Sequence, residues 1–173
     1  MNWTELIKTE IETTYAVTEA LLNLVDADSL DWKPSTGSNW MTVGQLLHHL
    51  AVDGCGAPMR GFVTGDWGMP PEGEVSAEEM LSPADKLPSV DSVAQAKTLL
   101  AADKELALEM LARCSEADLA NKPVAAPWNP TAPKALGYQL LQMVWHLGQH
   151  KGQLFYYLKL QGKPVHTGHL WGM

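Results

Sequence analysis

Three features that mark common protein classes are missing from this sequence. No run of Lys or Arg occurs, and 20 acidic against 12 basic residues give a net charge of −8. Nucleic acid and anionic membrane surfaces are therefore not expected as partners, because they are bound by clustered cations. No apolar stretch approaches the roughly 20 residues that span a bilayer. The first residues also lack the basic and apolar regions of a secretory signal.

Cysteine is scarce as well. Cys55 and Cys114 lie far apart and belong to no paired-cysteine motif. In a chain of 173 residues they are better explained as buried thiols of a cytoplasmic protein than as a disulfide. The composition, 46% hydrophobic and 18% charged, predicts one globular domain over residues 1–173.

Hydrophobic periodicity predicts four helices and no confident strand. Thr42 is placed to cap the second helix, with Gln45 completing a capping box, and the sequence "QGKP" is a typical end for the last helix. Four helices joined by long loops are typical of an all-α, up-down four-helix bundle. The predicted helices cover residues 3–25, 43–56, 93–113 and 134–160.

Two connections, residues 54–88 and 121–133, are rich in glycine and proline. A stretch as long as the first, without structure of its own, usually has a function inside a compact domain. Residues 54–88 include Trp67, Met69 and Met80, and we expect them to cover a substrate site.

The last predicted helix carries a polar stripe. His146, His150 and Gln153 lie within about 60° of one another around the helix axis. The stripe continues through Gln139, Gln142 and Tyr157. Because the helix is apolar on both flanks, the stripe is expected to face an interior polar cavity. Gly148 and Gly152 cost about 1 kcal/mol each relative to Ala, which predicts close packing against another helix, in the bundle or in a second subunit.

Two histidines four residues apart on one helical face can share a cation, although this spacing alone is a weak signal. A third ligand is available from "LLHHLAVD" in the second helix. His49 lies beside the predicted buried face of that helix, and Asp53 follows one turn later. His48, which lies nearer the outer flank, is the alternative third ligand. The predicted buried face is formed by Leu46, Leu47 and Leu50.

The strings "LDWKPSTGSNWMTVGQLLHHLAVD" and "WHLGQHKGQLFYYLKLQGKP" resemble the first and last motifs of the DinB/YfiT-like metalloenzyme superfamily. The two motifs agree with that family in order and separation. The resemblance implies a DinB-like four-helix bundle that holds one divalent metal ion, zinc or nickel, on His49, His146 and His150. Three histidines with open positions are typical of a catalytic metal site.

Some members of the resembled superfamily use a low-molecular-weight thiol in a transfer or an isomerisation. The expected function is therefore a metal-dependent enzyme, thiol transferase-like, isomerase or hydrolase, acting on a small molecule. Asp53, as an acceptor for an imidazole N–H or a base, and Gln153, which could orient ligands or substrate, are its candidate catalytic residues. The alternatives are a non-catalytic, stress-related metal-binding protein and a helical interaction module with core histidines.

Members of the resembled family are often dimers, and Trp145 lies near Gly148 and Gly152 on the last predicted helix. We therefore expect a homodimer that uses this surface. His166 and His169 belong to a Gly- and Pro-containing tail and are expected to be solvated.

Overall fold

The computed structural model describes residues 2–68 and 82–173, which are mostly helical. A π-helical turn, His49–Asp53, continues α2, and a 3-10 turn, Ala84–Lys86, follows the residues that are not described. The elements are α1 (Trp3–Leu22), α2 (Val43–His48), α3 (Gly56–Thr64), α4 (Val93–Ala112), α5 (Glu116–Asn121), β1 (Pro123–Ala126), β2 (Asn129–Ala135), α6 (Leu136–Leu160) and α7 (Thr167–Trp171).

The core is built by α1, α4 and α6 together with the α2–α3 segment. α1 packs against α4 and α6, and α4 packs against α3 and the π-helical turn. The predicted buried face of the second helix, now α2 and the π-helical turn that continues it, is confirmed, since its leucines are fully buried. Burial of such side chains contributes about 1.5–3 kcal/mol each and fixes α2 against the rest of the core. These leucines are Leu46, Leu47 and Leu50.

Local sequence signals gave correct helix ends in several places. Thr42 caps α2, and the predicted capping box with Gln45 is present. Gly162 adopts a φ of +80° just after α6, a left-handed conformation that glycine reaches without a steric cost. The predicted third helix is confirmed as α4. The first helix ends at Leu22 and is three residues shorter than predicted.

The segment 54–88 was predicted to lack structure, and this is wrong for its first part, which contains α3. Pro58 stands in the first turn of α3, where a missing N–H costs nothing. Gly56 allows the helix to begin in close contact with α4. Residues 69–81, which include Met69 and Met80, lie outside the described residues.

The prediction of no strand is also wrong. β1 and β2 form an antiparallel hairpin within the Pro-rich connection, with a bulge between Val124 and Ala126. A two-stranded hairpin consists of edge strands only, and edge strands tolerate proline. Because β2 runs to Ala135, α6 begins at Leu136 and not at residue 134.

One flank of α6 faces outward. Trp145 and Tyr156 are 60% and 62% exposed, and an added Cβ at Gly148 or Gly152 would meet no atom within 4 Å. The prediction that these glycines pack against another helix of the same chain is therefore wrong. Packing against a second subunit stays a prediction. In the described residues, each helix is too short or too polar to cross a bilayer.

Candidate metal centre

The structure brings three histidines from two separate segments into one cluster. The Nε2 atom of His150 lies 3.2 Å from Nε2 of His49 and 3.1 Å from Nε2 of His146. Each residue offers one ligand atom, and these atoms all lie within 4.8 Å of one another. The rings meet edge to face, with interplanar angles of 82–88°. The three Nε2 atoms therefore converge on one point.

Secondary structure explains how the three rings meet. His146 and His150 are one turn apart on α6, so their side chains project from the same face. His49 is the first residue of the π-helical turn, which packs against α6. π-Helical turns are rare and often occur at functional sites. The π-helical turn thus lies where the second segment contributes its candidate ligand, His49.

The opposite nitrogen, Nδ1, is occupied in His146 and His150. His146 Nδ1 donates to the Gly54 carbonyl oxygen at 2.9 Å, and a carbonyl can only accept. His150 Nδ1 lies 3.1 Å from Gln153 Oε1. The Gln153 amide donates to the Tyr157 hydroxyl at 3.1 Å, and that hydroxyl donates to the Met41 carbonyl at 3.0 Å. The first hydrogen-bond chain ends at the Gly54 carbonyl oxygen and the second at the Met41 carbonyl oxygen, and both oxygens can only accept. His146 and His150 therefore both carry the proton on Nδ1.

A metal ion fits this donor set. With Nδ1 protonated, the Nε2 lone pairs of His146 and His150 face each other at 3.1 Å, an arrangement that is unfavourable without a cation between them. Two imidazole nitrogens bound to one tetrahedral zinc ion, at about 2.0–2.1 Å each, lie roughly 3.3 Å apart. The observed spacing is close to this value. The cluster could therefore hold one metal ion.

Comparison with known proteins agrees with the sequence motifs. The chain matches the family model described as the DinB superfamily over residues 10–154, which includes all three clustered histidines. The chain belongs to the DinB superfamily. A crystal structure of a proposed member of the DinB family, from Exiguobacterium sibiricum 255-15, aligns with a TM-score of 0.67 and 19% identity, covering 98% of each chain. At this identity the likeness shows the fold alone. A comparison with curated proteins gives no match.

Burial sets the protonation of His146 and His150 in this DinB-superfamily chain. It lowers the pKa of His146, and it lowers the pKa of His150 to about 4, with the neighbouring His49 adding to both effects. Both imidazoles are therefore neutral near pH 7, which is the form that binds metal.

Asp53 lies beside two histidines. Its Oδ2 atom is 3.6 Å from Nδ1 of His49 and 4.0 Å from Nδ1 of His48, and its side chain is 53% exposed. The carboxylate thus faces the edge of the His49 ring that is opposite Nε2. His48, the alternative third ligand, stands outside the group of three.

The other polar residues that the sequence analysis named lie away from the histidine cluster. Gln142, a member of the predicted polar stripe, lines a surface groove between α1, α6 and α7, so the stripe of α6 does not face one cavity along its whole length. His166 and His169 take part in the N-terminal capping of α7. His166 is exposed, as predicted, and His169 is partly buried.

The sequence interpretation missed three residues of this DinB-superfamily protein: Gly54, which contacts the cluster, and Trp32 and Trp40, which pack against Tyr157. Gly54 contributes a backbone carbonyl, which no side-chain pattern reveals. Trp40 packs edge-on against Tyr157, with ring centroids 6.2 Å apart, and Trp32 does the same at 5.4 Å. Tyr157, predicted only to line the cavity, is buried and holds Gln153 in place. The seven tryptophans of the sequence were the available signal for this packing of Trp32 and Trp40 against Tyr157.

Proposed function

We propose that this protein is a metal-dependent enzyme that holds one divalent ion on His49, His146 and His150. The observation that carries the proposal is the convergence of three Nε2 atoms while Nδ1 of two rings donates to fixed acceptors. Metal-binding histidines characteristically use their second nitrogen in this way. Imidazole ligands suit both zinc and nickel, and we propose one of these two metals.

A catalytic site is favoured over a closed structural one because only three protein ligands gather in the described residues. All three histidines are partly exposed, so a small molecule can reach the remaining positions. A divalent ion bound there would act as a Lewis acid and would lower the pKa of a thiol or water beside it.

Asp53 and Gln153 are proposed to position ligands. Both amide atoms of Gln153 are engaged, one by His150 and the other by Tyr157, so its role is to orient the His150 ring. Asp53 faces the Nδ1 side of His49, which favours orientation of that ring over proton abstraction from substrate.

The reaction class that we propose is thiol-dependent transfer or isomerisation, which is the use that the family resemblance implies. A thiolate, the nucleophilic form of the thiol, would attack an electrophilic carbon of a small-molecule substrate, forming a C–S bond as the bond from that carbon to its leaving group breaks. A halide would depart as the anion, whereas an epoxide oxygen would stay on the product and take up a proton. In an isomerisation the thiolate would leave again. The proposed setting is the cytoplasm, where thiols stay reduced. For the core we propose the up-down arrangement of α1, the α2–α3 segment, α4 and α6.

Metal uptake followed by a thiol screen tests the function. We expect about one zinc or nickel ion per chain after loading and gel filtration, measured by elemental analysis. The loaded protein should then accelerate the reaction of glutathione or cysteine with an aryl halide or an epoxide, relative to metal and buffer alone. A protein that takes up no ion would refute the proposal. Stoichiometric uptake without turnover of any pair would favour the non-catalytic alternative.

We also propose that the protein is a homodimer formed through the exposed flank of α6. Trp145 and Trp171 are 60% and 65% exposed on a groove that includes Gly148 and Gly152. Sedimentation equilibrium should give twice the chain mass of 18.9 kDa. Replacing Gly148 with Trp should shift the mass toward the monomer, because the added ring would fill the close-approach surface. A mass equal to one chain at all concentrations would contradict the proposal.

A further inference from the structure

Asp103 on α4 is a buried carboxylate whose partners are all hydrogen-bond donors. Its side chain is in the core, with only 5% of the residue exposed. Oδ2 accepts from the Tyr15 hydroxyl at 2.6 Å and from the Gly56 N–H at 2.9 Å, and Oδ1 accepts from the Ala57 N–H at 3.0 Å. The first amides of a helix have no partner within it. Asp103 therefore fixes the beginning of α3 from a neighbouring helix.

The beginning of α3 is joined directly to the metal centre. Between the π-helical turn and α3 the chain passes through Gly54 and Cys55, and Cys55 leaves helical geometry with φ −151° and ψ −58°. The Gly54 carbonyl accepts from His146, and two residues later the Gly56 amide donates to Asp103. Two successive peptide groups thus connect the carboxylate to the His146 ring.

Close packing holds this connection in place. A Cβ at Gly56 would collide with the Asp103 backbone oxygen and would lie 2.6 Å from its Oδ1. A Cβ at Gly54 would lie 2.5 Å from the Leu50 carbonyl oxygen and 2.9 Å from Leu147 Cδ1. Contacts this short cannot form without a shift of the backbone. The segment is therefore packed between α4 on one side and α6 on the other.

We propose that Asp103, supported by Tyr15, is a positioning residue for His146. By anchoring the Gly56 and Ala57 amides it fixes the Gly54 carbonyl, and that carbonyl keeps the His146 proton on Nδ1 and its Nε2 free for metal. The inference rests on the proposed metal-binding function. Loss of the anchor would let the carbonyl move, so the ring could rotate or carry its proton on Nε2.

The test replaces Asp103 with asparagine, which keeps the size of the side chain and turns one acceptor atom into a donor. In the metal-free variant, long-range ¹H–¹⁵N correlation spectra should show His146 shifting from the Nδ1–H tautomer of the wild type to a mixture. Zinc affinity, measured by competition with a chelating dye, should fall about tenfold, since losing a hydrogen-bond partner of a metal ligand typically costs 10- to 100-fold. Tyr15→Phe removes one of the hydrogen bonds to Asp103 and should give a smaller change in the same direction.

Met110→Ala is the matched control, because it removes a buried side chain from the same helix about two turns from Asp103. It should lower the melting temperature and leave the His146 tautomer and zinc affinity unchanged. Should Asp103→Asn not fold, the Tyr15→Phe spectra decide the matter. An unchanged tautomer in both variants, or an equal loss of affinity in Met110→Ala, would overturn the proposal. If the wild type binds no zinc, the proposed function fails, while the tautomer in the metal-free protein still tests the role of Asp103.

Discussion

Replacing His146 with alanine is expected to lower zinc or nickel affinity by more than about 100-fold. The substitution leaves two ligands of three, and even the loss of a partner that only supports a metal ligand costs 10- to 100-fold. Helix content should stay close to that of the wild type, because alanine is the best helix former. The melting temperature should fall modestly, since the buried Gly54 carbonyl loses its partner. Dye competition measures the metal affinity and elemental analysis the metal occupancy. Circular dichroism measures the helix content and the melting temperature.

His48→Ala is the sharpest control for this experiment, because His48 adjoins His49 in the chain and stands outside the cluster. We expect it to keep full metal occupancy, whereas His49→Ala should lose it. His166→Ala and His169→Ala, which affect only the cap of α7, should also bind metal normally. Undiminished occupancy in His146→Ala would show that the cluster is not the metal site.

The parts of the fold that could be predicted from the sequence are those encoded by local periodicity and capping. α4, the cap at Thr42 and the end of α6 at Gly162 all follow from signals within a few residues. α3 was missed because its glycines and proline are typical of loops. In the structure those glycines serve close packing, for example Gly61 beneath the Trp67 ring. The β hairpin was missed because its pairing depends on backbone groups and not on an alternating pattern.

The candidate site was likewise predictable from the sequence only in part. The i, i+4 spacing of His146 and His150 and the motif around His49 were visible in the chain, and the structure brings these three side chains together. The Gly54 carbonyl was not visible, since every residue has one and only tertiary structure selects it. The position of Asp103, by contrast, is recognisable in the sequence. It falls on the apolar face of α4 between Leu100 and Ala107, where an acidic residue needs buried partners.

The expected response to metal removal depends on where the stability of the fold comes from. The histidine cluster contributes few of the contacts that hold α1, α4 and α6 together, because these helices are joined by fully buried apolar side chains. Burial of that kind is the main favourable contribution to folding. Fully buried examples on the three helices are Ile7, Ile11, Leu21, Ala96, Ala107, Leu140, Leu147 and Leu154.

Chelation should therefore abolish the proposed thiol-dependent activity and leave the fold intact. After dialysis against a strong chelator we expect turnover at the level of the uncatalysed reaction and a melting temperature only modestly lower. The far-ultraviolet circular dichroism at room temperature should be unchanged, and zinc or nickel should restore the activity. Met110→Ala, which removes a buried side chain of α4 away from the cluster, is the comparison for a structural loss, because added metal should not restore its melting temperature. Unfolding of the wild type by chelator alone would mean that the ion is structural, because a catalytic ion is expected to leave a stable apoprotein behind.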